Sequence, residues 1–340
     1  MRMGNSNLKT KFSIIIPVYN RPDEVAELLQ SLTQQTDKGF EVLVIEDGST
    51  VPCEEICKQY TGKLDLHYYC KPNSGRSETR NYGIARATGD WFVIYDSDVI
   101  VPPQYIATVR KELETNPVDC YGGPDAADDS FTDVQKAINY SMTSVMTTGG
   151  IRGATKNKAK FSPRSFNMGI SRPCFEKVGG YKNIIGEDID LSIRIKEAGF
   201  KTTLIPEAYV YHKRRVDLAK FFRQVHTFGK GRVLLAEMHP GSLKPVHLLP
   251  ALFVLGNITL VVAAAVLAFF NWRWALFCLA PIVLYVFGIF CESLYRNRSV
   301  KIALLSIATA YIQTFGYGTG FLSECITHKA RKAKQEELYK

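Results

Sequence analysis

The 340-residue sequence predicts an α/β domain on a mainly parallel sheet, followed by apolar helices that cross or lie on a membrane. Three observations carry this. Short apolar runs alternate with amphipathic stretches, the order that builds a parallel sheet with helices on both faces. Polar residues gather where those runs end. From about Val246 onward, charge nearly vanishes for long stretches.

Taken in order, KFSIIIPVYN is an apolar run closed by Pro17 and Asn20, the pattern of a buried strand. In RPDEVAELLQSLTQQ, Val25, Leu28, Leu29 and Leu32 form the apolar stripe of a helix. FEVLVIEDGS is a second strand, CEEICKQY a short helix and LDLHYYC a third strand. GRSETRNYGIARATG predicts a helix closed by Gly89. Residues 91–95 are a fourth strand. Beyond Pro102 we expect a helix near 103–115, a strand near 118–122 and a helix near 131–147. A polar loop with Arg152, Lys156, Lys158, Lys160 and Arg164 follows; it is either a solvated loop or a mobile lid that meets phosphate or lipid headgroups. A helix from Glu187 to Gly199, two strands in KTTLI and AYVYH, and a basic amphipathic helix DLAKFFRQVHTFGKGR complete the polar part.

Composition narrows the functional classes. Hydrophobic residues make up 46% and charged residues 22%, so a packed core is expected rather than disorder. Net charge is +9, yet no basic helix with interleaved aromatics and no zinc-finger spacing occurs, so nucleic acid is not an expected partner. The eight cysteines are scattered and contain no CxxC, which favours free thiols in a reducing compartment. The opening MRMGNSNLKTKF lacks the apolar stretch of a signal peptide, so the first domain is expected in the cytosol.

Three apolar stretches end the chain: Leu248–Phe270, Trp274–Cys291 and Ile302–Ser323, of 23, 18 and 22 residues. The first is long enough to cross a bilayer core of about 30 Å, the second is at the short limit, and the third carries Ser306, Thr309, Gln313 and Thr314. Basic residues precede the first stretch (Lys220, Arg223, Lys230, Arg232, Lys244) and follow the second (Arg296, Arg298, Lys301); only Arg273 lies between them. Positive charge inside puts the polar domain and the 292–301 loop in the cytosol. A third crossing would then put the basic tail outside, so that stretch is interfacial or re-entrant, or the charge rule fails. The expected domains are 1–245 (in two halves, about 12–101 and about 102–245), a membrane region 246–325 and a basic tail 326–340.

In WFVIYDSDVIVPP, a buried strand ends in two carboxylates separated by Ser97. In extended chain Asp96 and Asp98 point the same way, and like charges that close need a cation between them or solvent around them. Tyr19 and Asn20, Asp47, and Asp96 with Asp98 close three strands, at the strand ends where open parallel sheets bind ligands. By its own chemistry Asp47 before Gly48 is equally a turn former, Arg80 a surface helix residue, and Glu187 with Asp188 a pair suited to a helix start.

SIIIPVYNRP, VLVIEDGS, GRSETRNYGIARATGDWFVIYDSD and GEDIDLSIRI together resemble, in that order, the motifs of family 2 inverting glycosyltransferases, over about residues 12–230. The resemblance implies the GT-A fold, a nucleotide-binding α/β half merged with an acceptor half. It implies a nucleotide-sugar donor, by family habit a UDP-sugar, held by Pro17, Tyr19, Asn20, Asp47, Arg80, Asp96, Ser97 and Asp98. Asp47 would accept from the base. Arg80, in TRN where the family has ARN, would sit near the diphosphate. Asp96, Asp98 and His212 would hold Mn2+ or Mg2+, hard cations suited to carboxylate and phosphate oxygens. Asp188 would be the base, with Glu187, Gln224 and Arg232 on the acceptor side. The QxxRW motif of processive synthases is missing, since Gln224 is followed by Val225, His226 and Thr227.

The expected activity is therefore transfer of one sugar, at the cell membrane, to a lipid-linked acceptor such as a polyprenyl-phosphate saccharide of envelope or exopolysaccharide synthesis. A lipid acceptor such as diacylglycerol, or an inactive nucleotide-sugar-binding assembly module, is the alternative. Nucleotidyl transfer fits less well, because PVYNRPDE replaces the glycine-rich phosphate loop that chemistry usually needs after the first strand.

Overall fold

The computed structural model describes residues 10–126, 131–148, 161–212 and 217–338, with side chains up to residue 328. Arg152, Lys156, Lys158 and Lys160 of the expected loop lie outside the described residues. Two compact units emerge: Met1–Asp128 with Thr155–Lys213, and Asp129–Ala154 with Arg214–Lys340.

The first unit begins β1 (Phe12–Val18), α1 (Pro22–Thr33), β2 (Phe40–Asp47), α2 (Glu54–Lys58), β3 (Leu66–Lys71), α3 (Arg76–Ile84) and β4 (Trp91–Tyr95). It continues through β5 (Val99–Ile100), α4 (Tyr105–Thr115), β6 (Cys120–Gly122) and β7 (Asp125–Ala126). The chain then supplies α5 (Asp133–Thr143) and α6 (Val145–Thr148) to the second unit. It returns as β8 (Asn167–Ser171), α7 (Arg172–Val178), α8 (Glu187–Glu197), β9 (Thr202–Leu204) and β10 (Val210–His212).

Seven strands form one sheet in the order β3-β2-β1-β4-β8-β6-β9. The first four run parallel, as the sequence predicts; β8 is antiparallel to both β4 and β6. Strand alternation feeds two cores. Phe12, Ile14, Ile16 and Val18 pack with Val25, Leu28, Leu29 and Leu32 of α1, whereas Ile15 faces Leu43, Ile45 and Ile84 on the other side. Burial on both faces explains why these strands are continuous apolar runs.

A second sheet has the order β5-β10-β7. Its register sets His212 opposite Val99, the residue after Asp98.

One predicted boundary is corrected. The third helix ends at Ile84 and not at Gly89. Gly89 instead passes close to β1: a Cβ there would lie 2.6 Å from Ser13 Oγ and 2.7 Å from the Lys11 carbonyl oxygen. Glycine is needed for that approach.

The second unit holds α5, α6, α9 (Leu218–Met238), α10 (Leu249–Ala268), α11 (Trp272–Asn297) and α12 (Val300–Leu338). Its boundary differs from the one expected near 245, because α9 packs among these helices. A Cβ on Gly229 would sit 2.1 Å from the Tyr317 carbonyl oxygen, and one on Gly320 2.1 Å from that of His226. Small residues thus let α9 and α12 touch backbone to backbone. Among the described residues, α10 and α11 are long and apolar enough to cross a membrane, with mean hydropathy 2.4 and 2.3. The third apolar stretch is part of the 39-residue α12. Its hydroxyls find partners inside the unit: Thr309 donates to the Ala137 carbonyl oxygen and Ser306 bonds Ser293.

Candidate active site

The carboxyl ends of β1, β2 and β4 carry Asn20, Asp47 and Asp96, as the strand order requires. Pro17 lies within β1, Tyr19 is half-exposed just beyond it, and Ser97 is buried between the two aspartates. Asn20 adopts φ +53°, a conformation asparagine tolerates better than most residues. Its Oδ1 accepts from the Thr50 and Val51 amides, at 2.8 and 3.0 Å, and its own amide donates to Ser49 Oγ. Asn20 therefore ties the loop after β1 to the loop after β2.

Asp47 does the same for the loop before α3. It is buried and accepts from the Ser74 and Gly75 amides, each at 2.9 Å, and from Lys71 Nζ. Burial raises its carboxyl pKa, but Lys71 and the Ser74 amide outweigh burial and hold it below the ordinary value. The carboxylate is fixed and ionised.

Asp96, Asp98 and His212 converge, their ligand atoms all within 4.8 Å of one another. His212 arrives through the β5–β10 pairing, and Phe166 stacks on its ring at 4.9 Å between centroids. His212 Nε2 lies 3.2 Å from Asp98 Oδ1. Each aspartate also meets an arginine. Arg21 Nη1 donates to Asp98 Oδ2 at 2.7 Å, and Arg80 Nη2 to Asp96 Oδ1 at 2.8 Å. Burial alone would raise the Asp98 carboxyl, yet His212 and Arg21 overcome it and drive its pKa far below the usual range.

Asp98 Oδ1 and His212 Nε2 face each other at 3.2 Å, beside the Asp96 carboxylate. Two carboxylates held this close favour a cation among them. Neighbouring ligands of an octahedral ion with bonds near 2.1 Å lie about 3 Å apart, close to the observed Asp98–His212 spacing. Two carboxylates and an imidazole therefore fit Mn2+ or Mg2+ that takes its remaining ligands from phosphate or water.

Arg80 joins this cluster to α8. It is buried in α3, with Tyr181 5.3 Å from its guanidinium, and its Nη1 donates to Glu187 Oε1 at 2.8 Å. Arg76 Nη2 donates to the other Glu187 oxygen at 2.7 Å. One guanidinium thus bridges Asp96 and the residue beside Asp188. Glu187, expected on the acceptor side, has both oxygens engaged by arginines, while Arg80 Nε has no partner.

Asp188 sits in the first turn of α8, after Gly186 in the left-handed region. Its Oδ1 accepts from the Ile189 amide at 2.8 Å, and Oδ2 lies 3.8 Å from Arg164. Gln224 and Arg232 lie on α9, in the other unit. Sequence reasoning missed Arg21, Arg76, Phe166 and Lys71. Nothing in their local patterns marks them, because each acts through a partner distant in sequence.

Known proteins bear out the family resemblance. Residues 13–179 match the profile of Glycosyl transferase family 2. An uncharacterized glycosyltransferase of Rickettsia felis is 38% identical over 107 residues, 32% of this chain but only 18% of that protein. One of Haemophilus influenzae is 30% identical over 218 residues, 61% of this chain and 70% of that protein. Among solved structures, a mannosyltransferase of Pyrobaculum calidifontis in complex with GDP-Man and Mn2+ shares the fold. Its TM-score is 0.57 at 15% identity, with 92% of this chain and 88% of that one covered. Profile, sequence identity and sheet topology agree: the chain belongs to glycosyl transferase family 2.

Proposed function

We propose that this protein is a metal-dependent, inverting glycosyltransferase that moves one sugar from a nucleotide-sugar donor to a membrane-associated acceptor. The observation that carries the proposal is the continuous chain from His212 and Asp98, through Asp96 and Arg80, to Glu187 beside Asp188. It joins a cation site to a carboxylate at a helix start.

Inverting transfer is a single in-line displacement. Asp188 takes the proton of the acceptor hydroxyl as that oxygen bonds the anomeric carbon, and the bond from that carbon to the diphosphate breaks. Asp96, Asp98 and His212 would hold Mn2+ or Mg2+, which would supply positive charge for the departing diphosphate. Arg80, aimed by Glu187, holds Asp96 in place, and Asn20 and Asp47 fix the loops that receive the nucleoside.

The membrane part of the proposal rests on α10 and α11, and on aromatic residues at their junction. Phe269 and Phe270 are 89% and 83% exposed, and Trp272 and Trp274 are exposed beside them. Aromatics of this kind favour a membrane–water interface. The charge asymmetry supports a cytosolic α/β unit at the cell membrane, and a polyprenyl-phosphate-linked saccharide is the acceptor class that suits that location.

The test is nucleotide release by the detergent-purified protein with UDP-, GDP- and dTDP-sugars and Mn2+ or Mg2+, with membrane lipid extract as acceptor. We expect metal-dependent release from one donor class, lost in Asp98→Ala and in Asp188→Asn. Asp188→Asn should still bind donor. Release from no donor would favour a nucleotide-sugar-binding assembly module.

A further inference from the structure

We propose that Arg21 is a positioning residue that holds Asp98 by one oxygen and disfavours the divalent ion until a nucleoside diphosphate arrives with it. This inference rests on the metal–donor reading of the site given above.

Arg21 occupies the N-cap position of α1, yet its side chain makes no capping bond, and Pro22 follows it. The helix start therefore does not depend on its guanidinium. That group points instead at Asp98 Oδ2, 77 residues away, with a weaker 3.8 Å approach to Glu24. The other Asp98 oxygen faces His212 Nε2 at 3.2 Å. Arg21 thus fixes the carboxylate and leaves one lone-pair face for a ligand.

The charge balance follows. Asp96, Asp98 and Glu187 carry three negative charges, and Arg80, Arg21 and Arg76 carry three positive charges directly on them. The pairs largely neutralise each other before any ion binds. A divalent cation on Asp98 would then share one carboxylate with a guanidinium 2.7 Å away, in a partly buried setting where charges are poorly screened. A nucleoside diphosphate reverses the balance, because its anionic oxygens face both the ion and Arg21. The ion and the diphosphate are favoured as a pair.

The experiment is an Mn2+ titration of the full chain in detergent, read by electron paramagnetic resonance, with and without GDP or UDP. It compares wild type, Arg21→Gln, Arg21→Lys and Asp98→Ala. We expect wild type to bind Mn2+ weakly alone and more tightly with the diphosphate. Arg21→Gln should bind Mn2+ alone about ten-fold more tightly, with a smaller gain from nucleotide. Arg21→Lys keeps the charge and should resemble wild type, which separates charge from a folding defect. Unchanged or weaker Mn2+ binding in Arg21→Gln would overturn the role of Arg21 while leaving the metal site intact. Mn2+ binding in no variant, or equal binding by Asp98→Ala and wild type, would overturn the metal–donor reading and this inference with it.

Discussion

Two clusters of two carboxylates and a histidine lie in the first unit, and they differ in what surrounds them. Asp96, Asp98 and His212 stand beyond the carboxyl end of β4, whereas Glu41, Asp65 and His67 stand at the opposite end, where β2 and β3 begin. In both, the ligand atoms lie within 4.8 Å of one another. At the second cluster, however, Lys11 Nζ already sits 3.6 Å from Glu41 and 3.8 Å from Asp65. Glu41 Oε1 also accepts from Ser13 Oγ and the Thr88 amide, both at 2.6 Å, and Asp65 and His67 are 54% and 45% exposed. Its charges are met by lysine, hydrogen bonds and water. At the first cluster Arg21 and Arg80 each hold one aspartate, while Asp98 Oδ1 and His212 Nε2 face each other at 3.2 Å, close to the spacing of two ligands on one ion. Residue type and proximity alone do not distinguish the two; burial and preorientation at the ligand-binding end of a parallel sheet do.

This contrast can be broken or sharpened by substitution. The largest expected effect is on turnover: Asp98→Ala should lower metal-dependent nucleotide release about 10³-fold, while His67→Ala stays within about two-fold of wild type. Equal losses would erase the distinction. Next, Glu187→Gln removes the charge that aims Arg80 and should lower kcat by roughly 10- to 100-fold, with a smaller change in donor KM, measured by steady-state kinetics. Third, Phe166→Ala frees the His212 ring and should weaken Mn2+ binding in the presence of nucleotide by about ten-fold.

The smallest effect on function, and a clear one on stability, belongs to Glu41. Burial raises its pKa, but the Ser13 and Thr88 hydrogen bonds and Lys11 bring it below the ordinary 4.5. A carboxyl whose folded pKa is depressed stabilises the fold fully above its unfolded value. That contribution is lost as pH falls through the lower folded value. Glu41→Gln should cost roughly 2 kcal/mol near neutral pH while sparing turnover. The gap between the two unfolding midpoints should narrow as pH falls from about 4.5 downward. A constant gap would mean that hydrogen-bond geometry, not charge, accounts for the loss.

Much of the first unit was legible because its code is local. Apolar runs bounded by turn residues place β1 to β4, and the strand-end rule points to Asn20, Asp47, Asp96 and Asp98. What was not legible depends on distant pairing. His212 is named by the family resemblance and not by its local pattern, since it meets Asp98 only because β10 pairs with β5 across more than a hundred residues of sequence. Glu187 looks like an ordinary acidic helix start until Arg76 and Arg80 are seen on it. Gly89 has the composition of a helix stop, yet it answers to the approach of β1. Charge thins near 245, whereas the glycines that seat α9 on α12 place α9 with the helices of the second unit.

The most direct test is a count of Mn2+ sites by electron paramagnetic resonance at saturating nucleoside diphosphate, for wild type, Asp98→Ala and the double variant Asp65→Ala/His67→Ala. The account predicts one tight site in wild type and in the double variant, and none in Asp98→Ala. A tight site that survives in Asp98→Ala and disappears in the double variant would contradict it.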